Sequence, residues 1–158
     1  MPATTYAIAL GSNVYGRHGA PERTLAAALA AVGGVLAAAP VIRSDAVGPS
    51  RRRYANTVAL IASEEPPPAL LARLKRIERA FGRRPGRAWG ARVLDLDIVL
   101  WSQGAWRSAG LTVPHRAFRT RGFVLHPLAR IAPRWRDPVT ARTVRQLARA
   151  VDRPRPRS

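Results

Sequence analysis

Arg92-Val93-Leu94-Asp95-Leu96-Asp97-Ile98-Val99-Leu100 is the stretch on which the reading of this chain turns. Strand side chains alternate between two faces, so a strand here puts Asp95 and Asp97 on one face and Leu94, Leu96, Ile98 and Leu100 on the other. The leucine face must be buried against another layer. Two carboxylates side by side in an apolar strand repel each other and are costly to hold without a nearby cation. Hard oxygen donors suit Mg²⁺, which takes one or two carboxylates and fills its octahedron with water and substrate phosphates. The plainer alternative is a wet sheet face carrying solvated aspartates. Only nine acidic residues occur in the whole chain, and two of them stand here, which favours the metal.

Immediately upstream, Arg83 to Ala91 carries Arg83, Arg84 and Arg87 with Gly86, Trp89 and Gly90 and has no periodicity, so it reads as a mobile loop. Together with Arg92 these arginines could stabilise charge on phosphoryl oxygens, and the glycines would let the loop close. A basic surface loop is the alternative, although it leaves the aromatic between glycines unexplained. Further upstream, Pro66 to Pro68 introduce a helix with the stripe Leu70, Leu74, Ile77 and Phe81, ending at Gly82. Tyr54 to Ser63 is a strand with Tyr54, Asn56, Val58 and Leu60 on one face. Toward the N-terminus lie a strand over Tyr6 to Leu10, a helix from Pro21 through Leu25, Leu29 and Val32 to Gly33-Gly34, and a weaker strand over Val35 to Arg43. Gly48-Pro49 and Arg51 to Arg53 read as a loop. Downstream, the strand runs Val93 to Trp101, with a hairpin around Ser102-Gln103-Gly104. The Pro114-His115 segment, a helix over Gly122 to Ile131 and a last helix with Val144, Leu147 and Val151 in register follow. The pattern is one α+β domain over residues 1–151, helices on a mainly antiparallel sheet, with a disordered Arg/Pro tail at 152–158.

The chain has 158 residues, 27 Lys plus Arg against 9 Asp plus Glu, and a formal net charge of +18. Such a balance first suggests a nucleic-acid partner, through counterion release along a phosphate backbone. However, Lys75 is the only lysine, and the arginines are spread along the chain beside abundant Ala and 14 Pro, as a general compositional bias would also produce. Cysteine is absent, which excludes disulfides, thiol nucleophiles and Cys-based zinc sites. No apolar run approaches the roughly 20 residues of a membrane span, and the N-terminus has no signal-peptide pattern, so the expectation is a cytoplasmic protein.

Two motifs mislead. Gly11-Ser12-Asn13-Val14-Tyr15-Gly16 has P-loop glycine spacing, but Arg17-His18 follows where Lys and Ser or Thr should stand. His18, His115 and His126 have no metal-ligand spacing, although His115, after Pro114, could border the Asp95 strand. Tyr54 and Phe123, taken alone, would be ordinary core aromatics.

Taken together, Trp89-Gly90-Ala91-Arg92-Val93-Leu94-Asp95-Leu96-Asp97-Ile98, Gly11-Ser12-Asn13, Tyr54-Ala55-Asn56, Leu111-Thr112-Val113-Pro114-His115 and Arg121-Gly122-Phe123 resemble, in order and spacing, the 6-hydroxymethyl-7,8-dihydropterin pyrophosphokinase family of folate biosynthesis. The resemblance runs from about Tyr6 to Val151. It implies a ferredoxin-like α/β/α sandwich, ATP and a hydroxymethyl dihydropterin as substrates, and transfer of the β,γ-pyrophosphoryl group with release of AMP. It further implies two Mg²⁺ ions held by Asp95 and Asp97 with the ATP phosphates. Tyr54 and Phe123 would sandwich the pterin, Asn56 would bond its edge, and backbone from Ser44 to Val47 would read its other polar atoms. Arg83, Arg92, His115 and Arg121 would face ATP with Glu78, Ile98 and Thr112 alongside, and Trp89 would close over the substrates.

The chain also departs from the pattern. Arg43 to Pro49 differs from the usual pterin loop, and Gly110 stands where some relatives carry a phosphate-binding arginine. The loop before Trp89 is about one residue shorter, which leaves Arg84 and Arg87 open between roles. Ala88, Ala91 and Lys75 replace a common arginine, proline and glutamine. The expectation is an active monomeric enzyme with no nucleic-acid or membrane partner. The rivals are an arginine-driven nucleic-acid binder and a catalytically degenerate relative that still binds a pterin.

Overall fold

Proline without a free N–H suits the first turn of a helix, and that sets both helix starts on one side of the sheet. In the computed structural model, which describes residues 2–14, 16–44, 54–82 and 93–154, α1 (Pro21–Val32) opens on Pro21 and α2 (Pro67–Ala80) on Pro67. Gly33, at φ 71° and ψ 178°, takes a positive-φ extended conformation that suits glycine and stops α1, and its N–H bonds to Leu29 O. Leu25, Ala28 and Val32 of α1 and Leu70 and Leu74 of α2 face a common core.

The sheet contains β1 (Thr4–Ser12), β2 (Val35–Ala38), β3 (Ile42–Ser44), β4 (Tyr54–Ser63) and β5 (Asp95–Trp101). Its order is β2-β4-β1-β5, with β3 also on β4, and every pairing is antiparallel. The order β1-α1-β2-β4-α2-β5 is that of a ferredoxin-like fold, as expected. Alternation along β1 divides the molecule. Tyr6, Ile8 and Leu10 join the core under α1 and α2, while Ala7 and Ala9 face α3 (Gly122–Ile131) and α4 (Val144–Val151). The helix α4 starts in a reciprocal cap: the Gln146 N–H donates to Thr143 Oγ1 at 3.1 Å and the Thr143 N–H to Gln146 Oε1 at 2.9 Å.

Three expectations change. The strand over Val35 to Arg43 is two strands broken around Pro40, which has no N–H to give a ladder. The hairpin lies later than Ser102-Gln103-Gly104, where a single bridge joins Trp101 and Gly104; β6 (Trp106–Ser108) and β7 (Leu111–Val113) pair instead as a separate ribbon. Leu100 is on the opposite face from Leu94, Leu96 and Ile98. Along β5, Ile98 pairs with Ile8 and Leu100 with Ala7, so Val99 is an extra residue. This bulge puts Val99 and Leu100 together under α3 and α4 and returns Trp101 to the other side, where it stacks on Tyr6 with 6.0 Å between ring centroids. The loops expected near residues 48–53 and 83–91 lie outside the described residues, as do 155–158 of the tail. Among the described residues, no helix is long and apolar enough to cross a membrane.

Candidate functional site

The antiparallel register lines up one end of the sheet. On the face toward α3, Asn56, Gly11 and Asp95 form one row across β4, β1 and β5, and Val58, Ala9 and Asp97 form the next. Neighbouring strands are about 4.8 Å apart, so Asn56 and Asp95 stand about 10 Å from each other with β1 between them. From Ala7 onward the central strand carries only Ala7, Ala9 and Gly11 on this face. A Cβ at Gly11 would be 3.0 Å from Asn56 Oδ1, so glycine is what lets the Asn56 amide lie over the middle strand.

Asp97 and its neighbours Ala9, Val99, His115, Phe118, Arg121 and Val124 line a small pocket. Burial, and after it the Asp95 carboxylate, pushes the Asp97 carboxyl above its ordinary range; His115 and Lys75 pull it partly back. Among the described residues, no group of three or more His, Asp or Glu side chains makes a closed metal site. The donors fit a hard cation all the same: two carboxylates on one strand face, held together at an electrostatic cost that a cation would offset, with coordination left open to water and phosphate oxygens.

His115 reaches Asp97 from outside the sheet edge. Its N–H donates to Val99 O at 3.0 Å, on the bulged residue of β5, after the cis Val113–Pro114 peptide. The Ala117 N–H donates to His115 Nδ1 at 3.1 Å, so the neutral ring carries its proton on Nε2, 4.0 Å from Asp97 Oδ1. Arg121, at the start of α3, lies over the Phe123 ring, 5.6 Å from its centroid. Phe123 is 45% exposed and Tyr54 36%, well beyond what core aromatics show, which favours their reading as a binding surface. Ser44 pairs with Tyr54 beside the Asn56 row.

Glu78 and the Ile98 side chain stand behind this face, and Thr112 lies on the separate ribbon. Glu78 is fully buried on α2, where its Oε1 accepts the Leu96 N–H at 2.9 Å and the Lys75 ammonium at 3.1 Å. It thereby satisfies the outer edge of β5 behind the aspartates. The Ile98 side chain is 3% exposed in the core under α1 and α2, which leaves only its main chain to meet a nucleotide. Thr112 sits on β7 opposite Arg107, and Gly110 takes φ 76° in the turn before it. Val47, Arg83, Arg84, Arg87, Trp89 and Arg92 lie outside the described residues.

Sequence reasoning missed the pair Arg119 and Asp137. Asp137 is fully buried and accepts two bonds from the Arg119 guanidinium, one of them from NH2 at 2.9 Å, with the Val139 N–H at 3.0 Å and the Thr140 hydroxyl at 2.8 Å. The readable signal was Asp137-Pro138-Val139-Thr140, a pattern suited to an Asx turn.

Comparison with known proteins identifies the family. The family model described as 7,8-dihydro-6-hydroxymethylpterin-pyrophosphokinase matches residues 7–133. A 2-amino-4-hydroxy-6-hydroxymethyldihydropteridine pyrophosphokinase of Pseudomonas aeruginosa is 38% identical over 137 residues, 83% of this chain and 82% of its own. The enzyme of the same name from Synechocystis sp. is 43% identical over 110 residues, 70% of this chain but 56% of its own length. A crystal structure of the wild-type Plasmodium falciparum HPPK-DHPS with pteroate superposes with a TM-score of 0.69 at 12% identity, covering 94% of this chain and 42% of that one, a likeness of fold.

Proposed function

Because the chain belongs to the 7,8-dihydro-6-hydroxymethylpterin-pyrophosphokinase family, we propose that it moves the β,γ-pyrophosphoryl group of ATP to the hydroxymethyl oxygen of 6-hydroxymethyl-7,8-dihydropterin, releasing AMP, as a cytoplasmic monomer in folate biosynthesis. The observation that carries the reading is the paired row at the end of the sheet. Asn56 with Tyr54 and Phe123 offers a flat, hydrogen-bonding place for a bicyclic ring, and Asp95 with Asp97 offers a cation site on the next strand but one.

In the reaction the hydroxymethyl oxygen forms a new bond to the β-phosphorus and gives up its proton to water, while the bond from that phosphorus to the α,β-bridging oxygen breaks, and AMP departs with the bridging oxygen. The hydroxymethyl group must lie in line with that departing bond. The small side chains of Ala9 and Gly11 keep the path across β1 open, so a ring held over Asn56 can direct its substituent toward Asp95. Asp95 and Asp97 would hold two Mg²⁺ ions, which when bound screen the triphosphate and offset charge on the departing AMP. His115, with its Nε2 proton toward Asp97, supplies a donor at the rim of the carboxylate site, and Arg121 adds a fixed cation for phosphate oxygens. On this reading Arg83, Arg92, Trp89 and Thr112 serve the nucleotide, with Glu78 acting from behind β5 and Ile98 through its main chain. On the same reading Ser44 and Val47 serve the pterin. The test is AMP formation from ATP and the hydroxymethyl pterin, measured with and without Mg²⁺. AMP accumulating only when both pterin and Mg²⁺ are present supports the reading; pterin-independent ATP consumption, or no AMP in saturating Mg²⁺, overturns it.

A further inference from the structure

The segment from His115 to Arg121 carries two residues of the nucleotide side, yet its own backbone bonds are long. The Phe118 N–H reaches His115 O at 3.3 Å, the Thr120 N–H reaches Ala117 O at 3.2 Å, and the Arg121 N–H reaches Phe118 O at 3.3 Å. These are the bonds of a single short 3-10 turn, Phe118–Thr120, which is poorly stabilised by itself. Something outside the turn must hold it.

That anchor is the Arg119 to Asp137 pair. The Arg119 guanidinium lies over the Phe118 ring at 4.8 Å from its centroid while both of its bonds go to the buried carboxylate. Phe118 in turn is fully buried and lines the Asp97 pocket with His115 and Arg121. On the other side, Asp137 belongs to a firmly tied loop. Its N–H donates to Arg142 O and its carbonyl accepts the Ala141 N–H, both at 2.8 Å, and Ala141 is held at φ 61°, a conformation non-glycine residues keep only under constraint. The loop is fastened to α4 through the Val144 N–H to Trp135 O at 2.8 Å. A planar fork on a carboxylate fixes direction as well as distance, which a point charge does not.

Building on the proposed function, we propose that Arg119 and Asp137 are positioning residues for the nucleotide side of the site, orienting His115 and Arg121 against Asp97 through Phe118 without touching substrate. They act on ATP and leave the pterin side, across β1, alone.

The experiment compares wild type with Arg119→Ala, Asp137→Asn, Arg119→Lys and the Arg119→Ala/Asp137→Asn double variant, at a temperature where circular dichroism shows each folded. KM for ATP and for the pterin are measured from AMP formation, and Kd for α,β-methylene-ATP with Mg²⁺ by calorimetry. Arg119→Ala and Asp137→Asn should each raise the ATP KM and the analogue Kd about tenfold with the pterin KM within about twofold, and the double variant should be no worse than the poorer single. Arg119→Lys, which keeps the charge but not the fork, should fall between. Unchanged nucleotide parameters in folded variants, equal losses for both substrates, or additive single effects each overturn the proposal. Lack of AMP formation by wild type would instead count against the proposed function, and the calorimetric comparison would still decide the role of the pair.

Discussion

Replacing Asp137 with Asn should remove a stabilising charge whose size can be worked out from its surroundings. Burial would by itself raise this carboxyl, but the bonds from Arg119, the Val139 N–H and the Thr140 hydroxyl outweigh it and lower the pKa from 3.8 to about 2. Each unit is worth about 1.36 kcal/mol, so the ionised group favours the folded state by about 2 kcal/mol. In a chain of this length that corresponds to about 4–8 °C in Tm. The folded pKa is the lower one, so the contribution is complete above the unfolded value and is lost as pH falls from about 4 to about 2. Urea unfolding of wild type and Asp137→Asn, followed by far-UV circular dichroism at pH 7, 5, 3.5 and 2.5, isolates this group from other carboxylates. The gap between the two proteins should be the same at pH 7 and 5 and should narrow at pH 2.5, where about a third of the charge contribution remains. A gap that holds steady down to pH 2.5 would mean that Asp137 is not the ionised, hydrogen-bonded group described, and the reasoning would fail.

Two further outcomes test the site itself. Asp97→Ala should abolish AMP formation while leaving the unfolding midpoint equal to or above wild type without metal, because burial and Asp95 already disfavour the Asp97 charge; turnover near wild type would remove it from the cation site. Gly11→Ala brings a methyl to 3.0 Å from Asn56 Oδ1, so it should weaken pterin binding several-fold with ATP binding unchanged, as read by separate titrations of the two ligands; an unchanged pterin Kd would show that Asn56 does not need that space.

Much of this structure is legible in residue patterns, and the failures have physical causes. Period-two and period-three-to-four spacing located β4, α2, α3 and α4 because each buries a continuous apolar face. The pair Asp95 and Asp97 stood out because charge is rare in an apolar strand. Simple alternation puts Leu100 with Leu94, Leu96 and Ile98, but a bulge depends on what the partner strand does at Ala7 and Ile8, which β5 does not encode alone. The position of the hairpin is hidden for a similar reason: Gly104 signals a turn, but Trp106–Ser108 finds its ladder partner in Leu111–Val113. Arg119 and Asp137 are 18 residues apart with no shared periodicity, in a chain where one more arginine attracts no notice. Gly11 reads in sequence as the first glycine of a P-loop-like spacing, whereas in the fold it clears room for a side chain on the next strand.

The extra residue in β5 makes this strand sensitive to residue number rather than residue type. Val99 is the position that breaks the pairing count, and its carbonyl is also the acceptor for the His115 N–H. A one-residue deletion there would restore regular alternation, leaving Asp95 and Asp97 opposite Gly11 and Ala9 and Trp101 opposite Tyr6, yet would take one of the two adjacent side chains from under α3 and α4 and remove the anchor point of His115. Substitutions along the apolar part of β5 alter packing by degrees, whereas loss of that single codon removes a packed side chain and the His115 acceptor together. Length variation within such proteins should therefore collect in their loops and spare the stretch from Asp95 to Trp101.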